Sequence, residues 1–217
     1  MIKVKVSMIG APNQINLSQF LGNESNVYKD YKFYVNEKIK EADYWFIFDQ
    51  VNPDDCECYV SPENVFFLVA EPSHPIDYYS LPRLQSHLKQ FSKIYTCYES
   101  YGSNKVYTLP FLPWMINSNH GDSINAKHHR DYNYFSNLTS LEKSKTISVF
   151  CSNRSATETH RQRIRFVKSL KKHFKDRLDW FGNGVNPLQQ KWDGIAPYKY
   201  HIALENLSSN NVITEKL

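Results

Sequence analysis

The sequence predicts an α/β protein with mainly parallel sheets, and three observations lead to that prediction. Residues 2–8 alternate apolar and polar side chains, which is the pattern of a strand with one buried face. Residues 44–48 and 65–70 are short apolar runs, which suit strands buried on both faces. Helix-length segments such as residues 32–42 and 77–91 lie between the runs, and such alternation is typical of layered α/β domains.

A polar stretch separates this first α/β unit from a second one. Residues 117–145 are poor in aliphatic side chains, so we expect an interdomain connection with a short helix at 137–143. The predicted domains are residues 1–135 and 145–217. Within them the pattern also indicates strands at 93–97, 106–109, 146–151, 178–181 and 200–204, and a long helix at 157–175.

The composition is that of a globular protein of ordinary charge. Of the 217 residues, 41% are hydrophobic and 22% are charged, and the net charge of +4 permits an anionic partner without requiring one. Residues 2–8 read as a strand rather than a signal peptide, and no apolar run is long enough to span a bilayer. We therefore expect a cytoplasmic protein. The Cys56-x-Cys58 pair is a weak metal signal, and reduced thiols are the simpler interpretation.

The predicted helix at 157–175 is basic, and most of its charges indicate a solvated face. Five cations lie away from the predicted apolar face, which favours solvent over nucleic acid: Arg161, Arg165, Lys168, Lys172 and Lys175. The apolar face itself comprises Phe166, Val167, Leu170 and Phe174. Arg163 falls in the middle of that face, where a charge is costly unless it meets an anion. Near the carboxyl edge of a sheet, the planar guanidinium of Arg163 is suited to binding two oxygens of a phosphate. The alternative role for Arg163 is a structural salt bridge.

Two further places carry charges beside apolar residues. Glu71 ends the apolar run at 65–70, and partial burial there raises a carboxyl pKa toward the range of a general base. Capping of the next turn is the alternative role. Near the end of the chain, Glu205, Glu215 and Lys216 flank a polar turn that leads into a helix start. Such an arrangement suits a nucleotide or nucleotide-sugar, with ordinary capping charges as the alternative.

The closing residues resemble a family signature. YKYHIALEN at 198–206 followed by VITEKL at 212–217 resembles the motif of glycosyltransferase family 10, the α-1,3/1,4-fucosyltransferases. Weaker matches lie upstream, namely VFCSNR at 149–154, LDWFGNG at 178–184 and VAEPSHP at 69–75. The resemblance extends over about residues 65–217 and is strongest from residue 146 onward.

The resemblance implies a GT-B fold, in which two Rossmann-like domains face a cleft, with the second domain incomplete in this chain. The first domain would bind an acceptor glycan or glycolipid and the second GDP-fucose, with inversion at the transferred sugar and no cofactor or metal required. Glu71 would be the catalytic base. The implied donor-binding residues are Arg163, Glu205, Asn206, Glu215, Lys216, Ser152 and Asn153.

The resemblance also implies a biological setting and leaves alternatives open. A member without a membrane anchor would decorate a lipopolysaccharide or other surface glycan from the cytoplasm, with peripheral contact to the inner membrane aided by basic residues, and with no nucleic acid as partner. Val212 and Leu207 stand where family members commonly have Tyr and Ser. Another nucleotide sugar as donor is therefore one alternative, and the incomplete second domain makes a truncated glycan-binding protein without activity the other.

Overall fold

The computed structural model shows two compact units, each with its own β-sheet. The described residues up to 108 belong to the first unit, and those from 130 onward belong to the second. Among the described residues, no helix has the length and apolar character needed to cross a membrane. The structure describes residues 1–8, 26–48, 57–69, 87–97, 104–108, 130 and 132–205.

The first unit contains a seven-stranded, mainly parallel sheet. Its strands are β1 (Ile2–Met8), β2 (Val27–Tyr28), β3 (Tyr31–Val35), β4 (Tyr44–Phe48), β5 (Val65–Leu68), β6 (Lys93–Thr96) and β7 (Lys105–Tyr107). Their spatial order is β2-β3-β1-β4-β5-β6-β7. Only the edge pair β2–β3 is antiparallel within these residues. The α/β class with a parallel sheet is confirmed for this unit.

β1 differs from its prediction because both of its faces are buried. The fully buried polar residues Lys5 and Ser7 lie on the face that the alternation assigned to solvent. The Lys5 Nζ atom donates a hydrogen bond to the Glu37 carbonyl oxygen at 2.8 Å, and Trp45 Nε1 donates to Ser7 Oγ at 2.9 Å. These bonds offset the cost of burying polar groups in a central strand.

The prediction of a helix at residues 32–42 is wrong. Those residues begin in β3, whose alternating aromatic side chains favour a strand, and Phe33 packs against the core of β1. The short helix predicted at 137–143 lies earlier, as α1 (Tyr132–Ser136). Phe135 of α1 meets Trp192 edge-on, with ring centroids 5.3 Å apart, so α1 packs with the second unit rather than the first. Most of the segment at 77–91 lies outside the described residues.

The second unit contains a three-stranded parallel sheet. Its elements are β8 (Lys145–Phe150), α2 (Glu158–Phe174), β9 (Leu178–Phe181) and β10 (Tyr198–Ile202). The strand order is β10-β8-β9, and both neighbours of β8 run parallel to it. These four elements match the predicted ones to within about two residues at each end. The predicted α/β class is confirmed here as well.

The helix α2 covers one face of this sheet through a narrower apolar stripe than the sequence predicts. Val167 is fully buried, and Ile164, Leu170 and Phe174 pack against the cluster that includes Val149 and Leu178. Phe166 was assigned to this stripe, but it is 50% exposed. It lies about 100° around the helix from Val167, so the 3.6-residue period turns it toward solvent.

Adjacent truncations on α2 test this assignment of the buried stripe. We expect Val167→Ala to lower the free energy of unfolding by about 1.5–3 kcal/mol, because it empties a fully buried site. Phe166→Ala removes more atoms yet should change it by less than about 0.5 kcal/mol, since half of that side chain is already in water. Urea denaturation measures both values. A larger loss for Phe166→Ala than for Val167→Ala would contradict the assignment.

Candidate functional site

The strand order of the second sheet indicates where a ligand binds. The chain leaves β8, passes through α2 to β9 on one side, and then crosses back to β10 on the other side of β8. Where strand order reverses in this way, connections leave neighbouring strands in opposite directions and open a crevice at the carboxyl ends. The candidate site is therefore the carboxyl edge of β8 and β10, together with the start of α2.

The loop after β8 is held against the loop after β9. The Asn153 backbone N–H donates to the Asn183 carbonyl oxygen at 3.0 Å, and its side-chain Nδ2 donates to the Gly184 carbonyl oxygen at 3.3 Å. Gly184 has a φ of 76° and faces Asn153 so closely that any side chain there would collide with the amide. Ser152 is half-buried and Asn153 is exposed, so both lie at the edge of the sheet. The two hydrogen bonds of Asn153 restrict the conformation of this loop.

The start of α2 is fixed by a reciprocal cap that uses a histidine. The Thr157 hydroxyl accepts from the His160 backbone N–H at 3.2 Å, and His160 Nδ1 accepts from the Thr157 backbone N–H at 3.3 Å. The geometry is that of a capping box with histidine in place of Glu or Gln. Because Nδ1 accepts a hydrogen bond here, the cap requires the neutral imidazole.

Arg163 lies in the second turn of α2. The residue is half-buried, and its Nε atom is shielded from solvent. Burial raises the pKa of the Cys151 thiol, while the positive charge of Arg163 acts to lower it. The guanidinium is thus close to the residue that immediately follows β8. The sequence placed Arg163 within the apolar face, and its partial burial agrees with that placement.

Positive charge collects around the cap. Burial lowers the pKa of His160, and the nearby charges of Arg163, Arg154 and Arg161 lower it further. Arg161 is paired with Glu158 at 2.9 Å, so part of this charge is compensated. The backbone N–H groups at the start of a helix add a partial positive charge. The arrangement is suited to an anion such as a phosphate group.

The carboxyl end of β10 brings a carboxylate to the same edge. Leu204 packs on the cluster that contains Cys151, and the next residue, Glu205, is half-buried. The fold therefore brings four of the predicted residues to one edge of one sheet, namely Ser152, Asn153, Arg163 and Glu205. The other four predicted residues, Glu71, Asn206, Glu215 and Lys216, lie outside the described residues.

Sequence reasoning missed the polar groups that tie the second sheet together. At the amino edge, Tyr198 Oη donates to Asp179 Oδ2 at 2.5 Å, and Lys145 Nζ lies 3.2 Å from the same oxygen. The spacing Thr157-x-x-His160 was the available signal for the cap, although histidine is not the usual residue at its last position. Nothing local in the sequence pairs Asp179 with Tyr198, because the pair depends on the strand order.

Comparison with known proteins gives a partial match. Residues 140–217 match the model described as glycosyltransferase family 10 (fucosyltransferase) C-term. This part of the chain is similar to that family. The resemblance that the closing residues indicated is thereby confirmed over the matched segment, which contains β8, α2, β9 and β10.

One solved structure is also similar to the chain. It is described as the crystal structure of an alpha1,3-fucosyltransferase with GDP, at 15% sequence identity and a TM-score of 0.49. The alignment covers 99% of this chain and 64% of that one, so this chain spans less than two thirds of that protein's length. No curated protein gives a significant match.

The histidine cap makes the start of α2 sensitive to acid. Since folding lowers the pKa of His160 below its ordinary value of 6.5, its contribution to stability is complete above that pH and is lost as the pH falls through the lowered value. We expect His160→Glu to retain the cap at both pH 7.5 and pH 5.5, because a glutamate accepts the same bond. The wild type should lose about 0.5–1 kcal/mol more than the variant over that interval.

Urea denaturation of both proteins at the two pH values measures this difference. His173→Glu is a suitable control, because His173 is exposed and lies at the other end of α2. An equal loss of stability in the wild type and His160→Glu would contradict the role of the cap.

Proposed function

We propose that the chain binds the diphosphate of a GDP-sugar at the carboxyl edge of the second sheet and transfers fucose from GDP-fucose to an acceptor glycan. The observation that carries this proposal is the family 10 match over residues 140–217, the same segment that forms the crevice. The positive start of α2 and the half-buried Arg163 support it, since both are suited to phosphate.

The chemistry assigned to the donor side is charge stabilisation. As the bond between the fucose carbon and the phosphate oxygen breaks, negative charge accumulates on the departing GDP. The Arg163 guanidinium offers two parallel N–H donors to phosphate oxygens, and Lys216 supplies a second cation in the resembled motif. No metal or other cofactor is required in this scheme. Glu205 and Asn206 shape the donor pocket, and Glu215 accepts hydrogen bonds from the ribose, beside Ser152 and Asn153.

The acceptor side is assigned to the first unit. β5 ends at Leu68, so Glu71 follows shortly after the carboxyl end of a parallel strand. In the proposed step, Glu71 takes the proton from the acceptor hydroxyl. The oxygen of that hydroxyl attacks the fucose carbon from the face opposite GDP. One carbon–oxygen bond forms as the other breaks, so the configuration inverts. N-acetylglucosamine or glucose in a lipopolysaccharide or surface polysaccharide is the proposed acceptor, reached from the cytoplasmic side of the inner membrane.

A second candidate function uses the same site with a different donor. Val212 and Leu207 replace residues that are common in the resembled motif, and both changes fall in the implied donor pocket. Another nucleotide sugar is then the substrate. A protein that binds glycans without transferring sugar is the third candidate.

Titration of paired variants with GDP tests the proposed site. We expect Arg163→Gln to weaken GDP binding by about 10- to 150-fold, because it removes a charge-assisted hydrogen-bond donor worth about 1.5–3 kcal/mol. The matched control is Arg165→Gln, since Arg165 lies on the same helix but is exposed and paired with Glu158 at 2.6 Å. The control should change affinity by less than about twofold. Isothermal titration calorimetry measures both.

The same titration with GDP-fucose, GDP-mannose and UDP-sugars separates the candidate functions. Tight binding of a UDP-sugar without a response to GDP would contradict the GDP-fucose assignment. Equal losses for Arg163→Gln and Arg165→Gln would contradict the location of the site. Binding of GDP-fucose without detectable fucose transfer would favour the glycan-binding alternative.

A further inference from the structure

The opposite edge of the second sheet carries an unusual concentration of cations. The three parallel strands begin there, and α2 ends there because it runs antiparallel to the strands that it connects. Seven exposed basic residues lie at these strand starts and at the end of α2, and together they form what we call the basic edge: Lys143, Lys145, Lys171, Lys172, Lys175, Arg177 and Lys199. The carboxylates beside them are Glu142, Asp176 and Asp179.

Hydrogen bonds fix the place of several of these cations. Lys171 Nζ donates to the Leu178 carbonyl oxygen at 2.7 Å, and Lys143 Nζ donates to the Ala196 carbonyl oxygen at 2.9 Å. Lys145 is paired with Asp179 at 3.2 Å. The carbonyls of Leu178 and Ala196 lie at or just before the starts of β9 and β10, so the Lys171 and Lys143 side chains are held at this edge of the sheet. Four residues of the basic edge make neither an ion pair nor a side-chain hydrogen bond within the described part of the chain, namely Lys172, Lys175, Arg177 and Lys199.

Capping of α2 does not account for so many cations. One or two positive side chains in the last turn complement the helix dipole, each by about 0.3–1 kcal/mol. Lys143, Lys145 and Lys199 belong to strand starts rather than to the helix, and like charges gathered in one place repel one another. An extended anionic partner would remove that repulsion.

The basic edge is separate from the candidate donor site. β8 has six residues, so the two edges of the sheet are about 20 Å apart at 3.3 Å per residue. One nucleotide sugar at the carboxyl edge cannot neutralise cations at the other edge. The partner of the basic edge is therefore a different anionic species.

We propose that the basic edge docks the second unit onto an anionic phospholipid surface. Six of its seven cations are lysines, whose compact charges on flexible stems suit a mobile layer of phosphate headgroups. Each such cation contributes about 1 kcal/mol near a membrane of typical negative charge. The aromatic rings of Phe174 and Tyr198 at this edge pack inward, and Tyr200 beside Lys199 is 67% exposed, whereas single-stranded nucleic acid is commonly bound by several exposed stacking rings.

Docking at this edge limits which lipid-linked acceptors the site can reach. This consequence rests on the proposed function. The carboxyl edge would then face away from the lipid, about 20 Å from the headgroups. The acceptor sugar would have to project by that distance, so a lipid-linked chain of several sugars fits and a single sugar on a lipid does not.

Vesicle co-sedimentation tests the docking surface directly. The chain should bind vesicles of phosphatidylcholine mixed with phosphatidylglycerol, should not bind pure phosphatidylcholine, and should dissociate in high salt. We expect the triple variant Lys172→Glu, Lys175→Glu, Lys199→Glu to lose at least about tenfold in vesicle affinity, because three attractions become repulsions. The matched control is Lys38→Glu, Lys40→Glu, Lys89→Glu, which makes the same charge change on exposed residues of the first unit. The control should retain most of the binding.

Several outcomes would overturn the docking surface. They are unchanged vesicle binding by the basic-edge variant, equal losses in the two triple variants, or binding of single-stranded RNA without binding of anionic vesicles. Thermal unfolding of both variants verifies that they are folded. GDP affinity, which the basic-edge variant should keep within about twofold, distinguishes failure of the docking surface from failure of the donor site.

Discussion

Parallel pairing of β8 with a strand on each side is the constraint on which the second unit depends. Because β9 and β10 both run in the direction of β8, all three carboxyl ends fall at one edge and all three amino ends at the other. The crossover through α2 then brings the helix start to the carboxyl edge. The positive helix start and Arg163 therefore lie together, and the lysines of the basic edge are collected at the far end.

The positive charges at the carboxyl edge form a site that is suited to an anion before any ligand binds. The cap on α2 works only with neutral His160, and the surrounding arginines help to keep it neutral by lowering its pKa. An anion that binds near these arginines offsets their charge and so removes part of their lowering of the His160 pKa, whereas burial, the larger cause, continues to favour the neutral imidazole. Asn153 and Gly184 hold the adjoining loop in place, which limits the rearrangement needed for binding.

The sequence predicted the second unit better than the first, for physical reasons. Residues 146–151 and 178–181 are short segments rich in aliphatic and aromatic side chains, and α2 carries a 3.6-residue period, so local pattern and packing agree. Residues 32–42 were predicted as a helix from the length of the segment between two strand-like runs, and pairing with β1 shows that the segment begins as a strand. Burial of Lys5 and Ser7 likewise depends on neighbouring strands rather than on the local sequence.

The site was predicted in part by chemistry and in part by resemblance. Arg163 stood out because a charge among apolar neighbours is costly, and Glu205 because it followed a strand. The contact between Asn153 and Gly184 depends on loops brought together by the fold, so no local pattern predicted it, whereas the His160 cap had a local signal in the Thr157-x-x-His160 spacing. Such contacts between segments distant in sequence are the part of a site that composition and spacing do not encode.

The central claim is that a nucleoside diphosphate binds at the carboxyl edge of the second sheet, and hydrogen exchange of backbone amides with and without GDP tests it most directly. The account predicts that GDP slows exchange at residues 151–160 and 203–205, while amides at the starts of β8, β9 and β10 keep their rates. Slowed exchange at those strand starts, or GDP binding that leaves residues 151–160 unchanged, would contradict it.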